Sequence, residues 1–411
     1  MNKELHLFII WENARNKQDE ILNDIKKTFK VLKVYDVEWA KENFSNDLTR
    51  FYGTNLPNGS EKELHCGNGK FLLIILQDLN PVYEERNTSK GLKIVNKNLF
   101  DKKTEYRNLT GGGHRIHATN SVQETNHDLT LLLGKNVEDY LKENGDSEWD
   151  GNIVELSRDL TGCGVWNSVE EMFYVLNNCV NYAILRNYEG LPEEIYVNDH
   201  NDIDVICESM IETAYILNAR SMHKEPYRVQ HEVSVGDKKA FFDLRNVGDN
   251  YYCKALEERI LKNRVFNEKG FYTLNKEDYF YTLLYHAYIQ KPEFKDDYKE
   301  KLSQMNVVSV DKTTSLDEYG KILKNWLKKN DYFVIEPIDR SVYFNRENVQ
   351  IFKPSIYHEN EELFRLREEN SRLLSENEEL KQQNKALNDF VAGVKGSRAW
   401  NLIENLRKIM K

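Results

Sequence analysis

Apolar positions follow two rhythms along this chain, and each predicts a different element. Leu5 to Trp11 is a short unbroken apolar run, the pattern of a buried strand. Lys17 to Thr28 sets Ile21 and Ile25, with Phe29 after them, on one helical face. Val31 to Val37 predicts a second strand, Ala40 to Tyr52 a helix, and Lys70 to Leu76 a buried strand. The glycine turn Gly111-Gly112-Gly113 precedes Arg115-Ile116-His117, and Val122 to Leu133 then reads as a helix.

This β-α-β order with further α and β segments predicts an α+β first unit of ferredoxin-like type over residues 1–144. Residues 145–164, with Gly145, Gly151, Gly162 and Gly164, read as a linker. A second unit is expected over 165–300. Its strands include Asn201 to Ile206 and Ala240 to Leu244. Residues 301–357 predict a helix, Leu316 to Lys328, followed by a hairpin of Tyr332–Ile335 and Val342–Phe344 around Asp339-Arg340. From His358 the pattern becomes heptad. Leu366, Leu373, Leu380, Leu387 and Val394 recur every seven residues, with Leu363, Asn370, Asn377, Asn384 and Val391 at the paired position. Leucine on one seam and asparagine on the other predicts self-association through a parallel two-stranded coiled coil.

The chemistry concentrates in two places. In Asn201-Asp202-Ile203-Asp204-Val205-Ile206, strand alternation points Asp202 and Asp204 the same way, with Ile203 and Val205 into the core. Asp243 sits mid-strand about forty residues later. Three carboxylates on neighbouring strands suit a hard cation, Mg²⁺ or Mn²⁺, which holds phosphate oxygens and neutralises charge in phosphoryl or nucleotidyl transfer. The second place is His117. A neutral imidazole oriented by a carboxylate serves as nucleophile or base near neutral pH.

Val175 to Cys207 resembles the core of the nucleotidyltransferase superfamily, the polymerase-beta-like fold. That likeness implies Asp202, Asp204 and Asp243 as catalytic metal ligands. The family's Gly-Ser after its first helix is replaced here by Arg186-Asn187-Tyr188-Glu189-Gly190. Arg186 can take over phosphate binding through its bidentate fork, with Tyr188 beside the donor. The segment HRIHATNSVQETNHDLTLLLG resembles the active-site segment of nucleoside diphosphate kinases. There His117 would be the phosphorylated residue and Asp128 its orienting acid, with Tyr52, Arg107 and Arg115 as substrate contacts and Arg86 a further basic group. The lysine that follows the first strand in that family is Trp11 here. His114 and His127 are expected to be exposed. The end of the chain, Gly396 to Lys411, resembles the tails of some bacterial cell-envelope glycosyltransferases. It reads as a basic amphipathic helix suited to peripheral membrane contact.

Composition narrows the choice. The net charge of −10 over 411 residues argues against stable nucleic-acid binding, which needs a basic stripe. Five scattered cysteines without metal spacing read as reduced thiols in a cytoplasmic protein, and the tail offers a contact with the inner face of the membrane. The expected function is a metal-dependent transferase of a phosphorus-containing group from a nucleotide-activated donor, in bacterial surface-polysaccharide assembly. The alternatives are His117-dependent phosphotransfer and a non-catalytic dimeric nucleotide-binding scaffold.

Overall fold

A computed structural model of the protein describes residues 3–88, 91–145, 147–186, 188–193, 202–358, 361–396 and 400. The first half comprises β1 (Glu4–Ile10), α1 (Gln18–Thr28), β2 (Lys30–Glu38), α2 (Phe44–Tyr52), α3 (Glu61–Cys66) and β3 (Phe71–Asp78). It continues with β4 (Tyr83–Thr88), β5 (Gly91–Asn96), α4 (Lys97–Leu109), β6 (Ile116–Ala118), α5 (Val122–Leu133), α6 (Val137–Asn144) and β7 (Ile153–Ser157). Sheet order is β6-β1-β3-β2-β7. β1 runs antiparallel to both β3 and β6, and β2 runs antiparallel to β3 but parallel to β7. All eight residues of β3 are buried, because both faces of this central strand are covered. Along β1, Leu5, Leu7 and Ile9 enter one core while Phe8 and Ile10 enter another. β7 lies inside the stretch expected to be a linker. Those residues carry glycines and acidic side chains, but Ile153 to Ser157 add an edge to the sheet.

The second half comprises α7 (Val169–Cys179), β8 (Tyr182–Arg186), β9 (Ile203–Cys207), α8 (Met210–Ile216), β10 (Arg220–Ser221), β11 (Gln230–Val235) and β12 (Lys238–Asn246). α9 (Lys254–Lys262), β13 (Val265–Phe266), β14 (Tyr272–Thr273), α10 (Lys276–Ile289), α11 (Asp296–Gln304) and α12 (Leu316–Lys329) follow. The strand order is β10-β11-β12-β9-β8-β14-β13. β9 is parallel to β12 and antiparallel to β8. Ile203, Val205 and Cys207 face a core shared with the first sheet. Ile206 faces a separate core built with α9, α10 and α12. Asp204, two residues before Ile206, takes that second face.

The chain closes with β15 (Val334–Ile335), β16 (Tyr357–His358) and α13 (Glu361–Gly396). β15 pairs in parallel with β16, so the expected hairpin does not form. The expected turn at Asp339-Arg340 does form, with the buried Asp339 carboxylate accepting from the Ser341 amide and hydroxyl beside Arg228 and Arg245, but Val342–Phe344 stay outside any strand. α13 starts against the body, where Arg340 pairs with Glu368 at 3.0 Å. Asn370, Ser371 and Leu374 line a cavity of about 330 Å³ with Tyr227, Asp249 and Ile338. Farther along, Leu373, Leu380, Leu387 and Val394 are exposed.

Candidate functional site

Three strands of the second sheet bring three charged residues abreast. Asp204 pairs in register with Arg186 on β8 and with Asp243 on β12. Asp202 stands just ahead of β9 and is partly exposed. Arg186 was expected in a loop after a helix. It is the last residue of β8 instead, because α7 already ends at Cys179. Its Nη2 donates to Asp204 Oδ1 at 2.6 Å and to Tyr251 Oη at 2.8 Å. Burial opposes its charge, but Asp204 and Tyr251 raise its pKa and keep it a cation. Tyr188 packs its ring on Phe271 and Tyr279.

Burial, then the neighbouring Asp204 charge, pushes the Asp243 carboxyl up to about 6. Its Oδ1 is buried with no hydrogen-bond partner. Arg245, 4% exposed, lies 4.0 Å from Asp243, 3.9 Å from Asp249 and 3.5 Å from Asp339. An orphaned carboxylate oxygen beside a second carboxylate is a fit for a hard divalent cation, which prefers oxygen donors. As arranged here, Asp202, Asp204 and Asp243 are not drawn to ligand spacing. Among the described residues, donor atoms come within 4.8 Å of one another in two other groups, Asp47–Asp159–Cys163 and His117–Glu124–Asp128.

The second of these groups is the His117 centre. His117 sits on β6 opposite Ile9. Its Nε2 meets Asp128 Oδ2 at 2.7 Å, and its ring packs edge-on against Phe51 and Tyr52. α5 delivers Asp128 because Ser121 caps its start and Gly134, at φ 68°, ends it. His127, expected to be exposed, brings Nδ1 to 2.9 Å from Asp128 Oδ1, and its side chain is 15% exposed. Burial opposes ionisation of Asp128, but the two imidazoles hold its carboxyl below the usual range. Arg107 donates to the Ile116 carbonyl, one residue before His117. Arg115 turns back to the Gly112 carbonyl, and Arg86 is spent on Glu84 and Asp101. Trp11, at the position where the sequence likeness would put a lysine, is fully buried in an aromatic cluster with Trp39, Phe44, Phe51 and Phe71.

Sequence reasoning missed Tyr251, His286, Gln290, Arg245 and Asp339. They carry no motif, and His286 lies in the largely apolar α10.

No protein-family model matches the chain, and no curated protein matches it. Among solved structures, the nucleoside diphosphate kinase of Aquifex aeolicus superposes with a TM-score of 0.21 at 14% identity. The match covers 31% of this chain and 93% of that one. A likeness of that size assigns neither fold nor activity.

Proposed function

We propose that the protein is a metal-dependent transferase that moves a phosphorus-containing group from a nucleotide donor at the Arg186–Asp204–Asp243 row. The single observation that carries this is the register of Asp204 and Asp243 on adjacent parallel strands, with an orphaned buried oxygen on Asp243. Asp204 and Asp243, with Asp202 at the mouth, are the groups that would hold Mg²⁺ or Mn²⁺. When bound, that cation supplies charge neutralisation at the donor phosphates. Arg186 supplies a second positive charge with a planar fork for phosphate oxygens. Burial of Arg186 and Asp204 limits the screening of these charges by water. In this reading the second sheet is a nucleotidyltransferase-like unit, and the order β6-β1-β3-β2 of the first sheet is ferredoxin-like. The surface-polysaccharide role rests on the tail, and residues 397–399 and 401–411 lie outside the described residues. A screen of nucleoside triphosphates and nucleotide sugars with Mn²⁺, read by product mass, tests the reaction class. No turnover or binding of any of them would sink it.

A second reading places phosphoryl transfer at His117. The 2.7 Å contact of Nε2 with Asp128 supports it, since Nδ1 is then the nitrogen that would attack phosphorus. The aromatic cluster around Trp11 weighs against it.

α13 supports self-association, with leucines exposed along its outer length. We assign this helix to a parallel pair with a second copy of the chain.

A further inference from the structure

Arg186 is shared between a charged partner and a neutral one. Besides Asp204, its Nη2 holds Tyr251 Oη. Tyr251 Oη lies 3.1 Å from His286 Nδ1, and His286 Nδ1 lies 3.1 Å from Gln290 Oε1. Gln290 Nε2 donates back to the Tyr251 carbonyl at 2.8 Å. The loop closes on itself, and Tyr251, His286 and Gln290 are all buried. The Arg245 guanidinium also stands over the Tyr251 ring, 4.4 Å from its centroid. A buried polar network with its members paired to one another is rigid, because each lost contact leaves a desolvated group. Tyr251 is therefore fixed from several sides, whereas Arg186 depends on Tyr251 and Asp204.

We infer that Arg186 is a stand-in cation for the carboxylate row, and that Tyr251 is the pivot that keeps Arg186 in place once a divalent cation takes Asp204. Tyr251 is thus a positioning residue for Arg186 and, through it, for a donor phosphate. The inference rests on the metal-dependent reading above. Two opposite consequences follow from electrostatics. Without the Arg186 charge, Asp204 loses its paired cation and Asp243 keeps only the more distant Arg245, so the two carboxylates attract a divalent cation more strongly. Without the Tyr251 hydroxyl, an Arg186 displaced from Asp204 has lost its other partner inside the core, so displacing it becomes harder. A purely structural role for either residue would not move cation affinity in opposite directions.

The test is a Mn²⁺ titration of the full chain without nucleotide, with unbound Mn²⁺ read by electron paramagnetic resonance. The relevant binding is the part that Asp243→Asn removes. Arg186→Gln is expected to tighten it about tenfold and Tyr251→Phe to weaken it about tenfold, the scale of one charge-assisted hydrogen bond. Circular dichroism and thermal melts report folding. Tyr251→Phe deletes a single hydroxyl, so it carries the test alone if Arg186→Gln does not fold. Unchanged affinity in a folded Tyr251→Phe protein, or the same direction of change in both variants, overturns the inference while leaving the metal site standing. Mn²⁺ binding indifferent to Asp243→Asn removes the metal reading and the pivot with it.

Discussion

Asp204 and Asp243 stand directly opposite one another on two neighbouring parallel strands. Two carboxylates in register on adjacent strands, one of them pushed up to about 6 mainly by burial, are an arrangement that burial penalises and a divalent cation relieves. Asp204→Asn and Asp243→Asn are each expected to lower metal-dependent turnover by about 100-fold or more, the scale of losing one transition-state charge contact. Circular dichroism should match wild type. Near-normal turnover in both variants would show that the row is not the reaction centre.

The first sheet should not form phosphohistidine. Trp11 and its aromatic neighbours occupy the ground beside His117, and Lys62 is held over the Tyr52 ring, 3.5 Å from its centroid. Incubation with γ-labelled nucleotide, followed by assay of acid-labile label, is expected to leave the protein unlabelled. Label that disappears in His117→Ala would move the chemistry to this centre.

Arg50 ties the two halves together. It is 1% exposed and donates to the carbonyls of Thr161, Tyr215 and Ile216, while Asp47 lies 3.7 Å away. Arg50→Ala would leave a buried carboxylate without its counter-charge. Chemical denaturation should report a loss of about 3–5 kcal/mol. A loss below about 1 kcal/mol, the worth of an exposed ion pair, would contradict this role.

Glu257 should make the protein less stable as pH rises. Burial, with Asp249 beside it, pushes its carboxyl up from 4.5 to about 8. A raised acid stabilises the fold in its protonated form. That stability is complete below the unfolded value and is lost as pH climbs through about 8. The Glu257 carboxylate oxygens also accept from the Gly248 and Tyr252 amides, so Glu257→Gln keeps one acceptor and removes the titration. Melting temperature should fall more steeply from pH 5 to 8 in wild type than in the Gln variant, and parallel slopes would refute the assignment.

Exposed leucines on α13 should hold two chains together. Leu380 and Leu387 lie beyond the part of the helix that meets the body, so changing them spares the fold. Light scattering at micromolar concentration is expected to give a dimer for wild type and a monomer for a Leu380→Asp, Leu387→Asp double variant. A monomeric wild type would end the coiled-coil assignment.

Much of this was legible in the residues themselves. The alternation in Asn201 to Ile206 marked a strand with Asp204 on one face, where the structure has Ile203–Cys207, and Val122 to Leu133 is a helix with the bounds its pattern predicts. Periodicity reports which side of an element is buried, because that is set by neighbours a few residues away. The parallel pairing of β9 with β12 is different. It joins segments about forty residues apart, and only packing against the shared core chooses the register that sets Asp204 opposite Asp243. The same non-local choice turned Ile153 to Ser157 from an expected linker into a strand and paired Val334 with Tyr357 where a hairpin was expected. It also recruited Tyr251 and His286, whose chemistry exists only because a loop after β12 and a turn of α10 meet around one buried guanidinium. Local sequence specifies elements and their faces. The charge environment of the site comes from which faces meet, and that is decided by burying the whole chain at once.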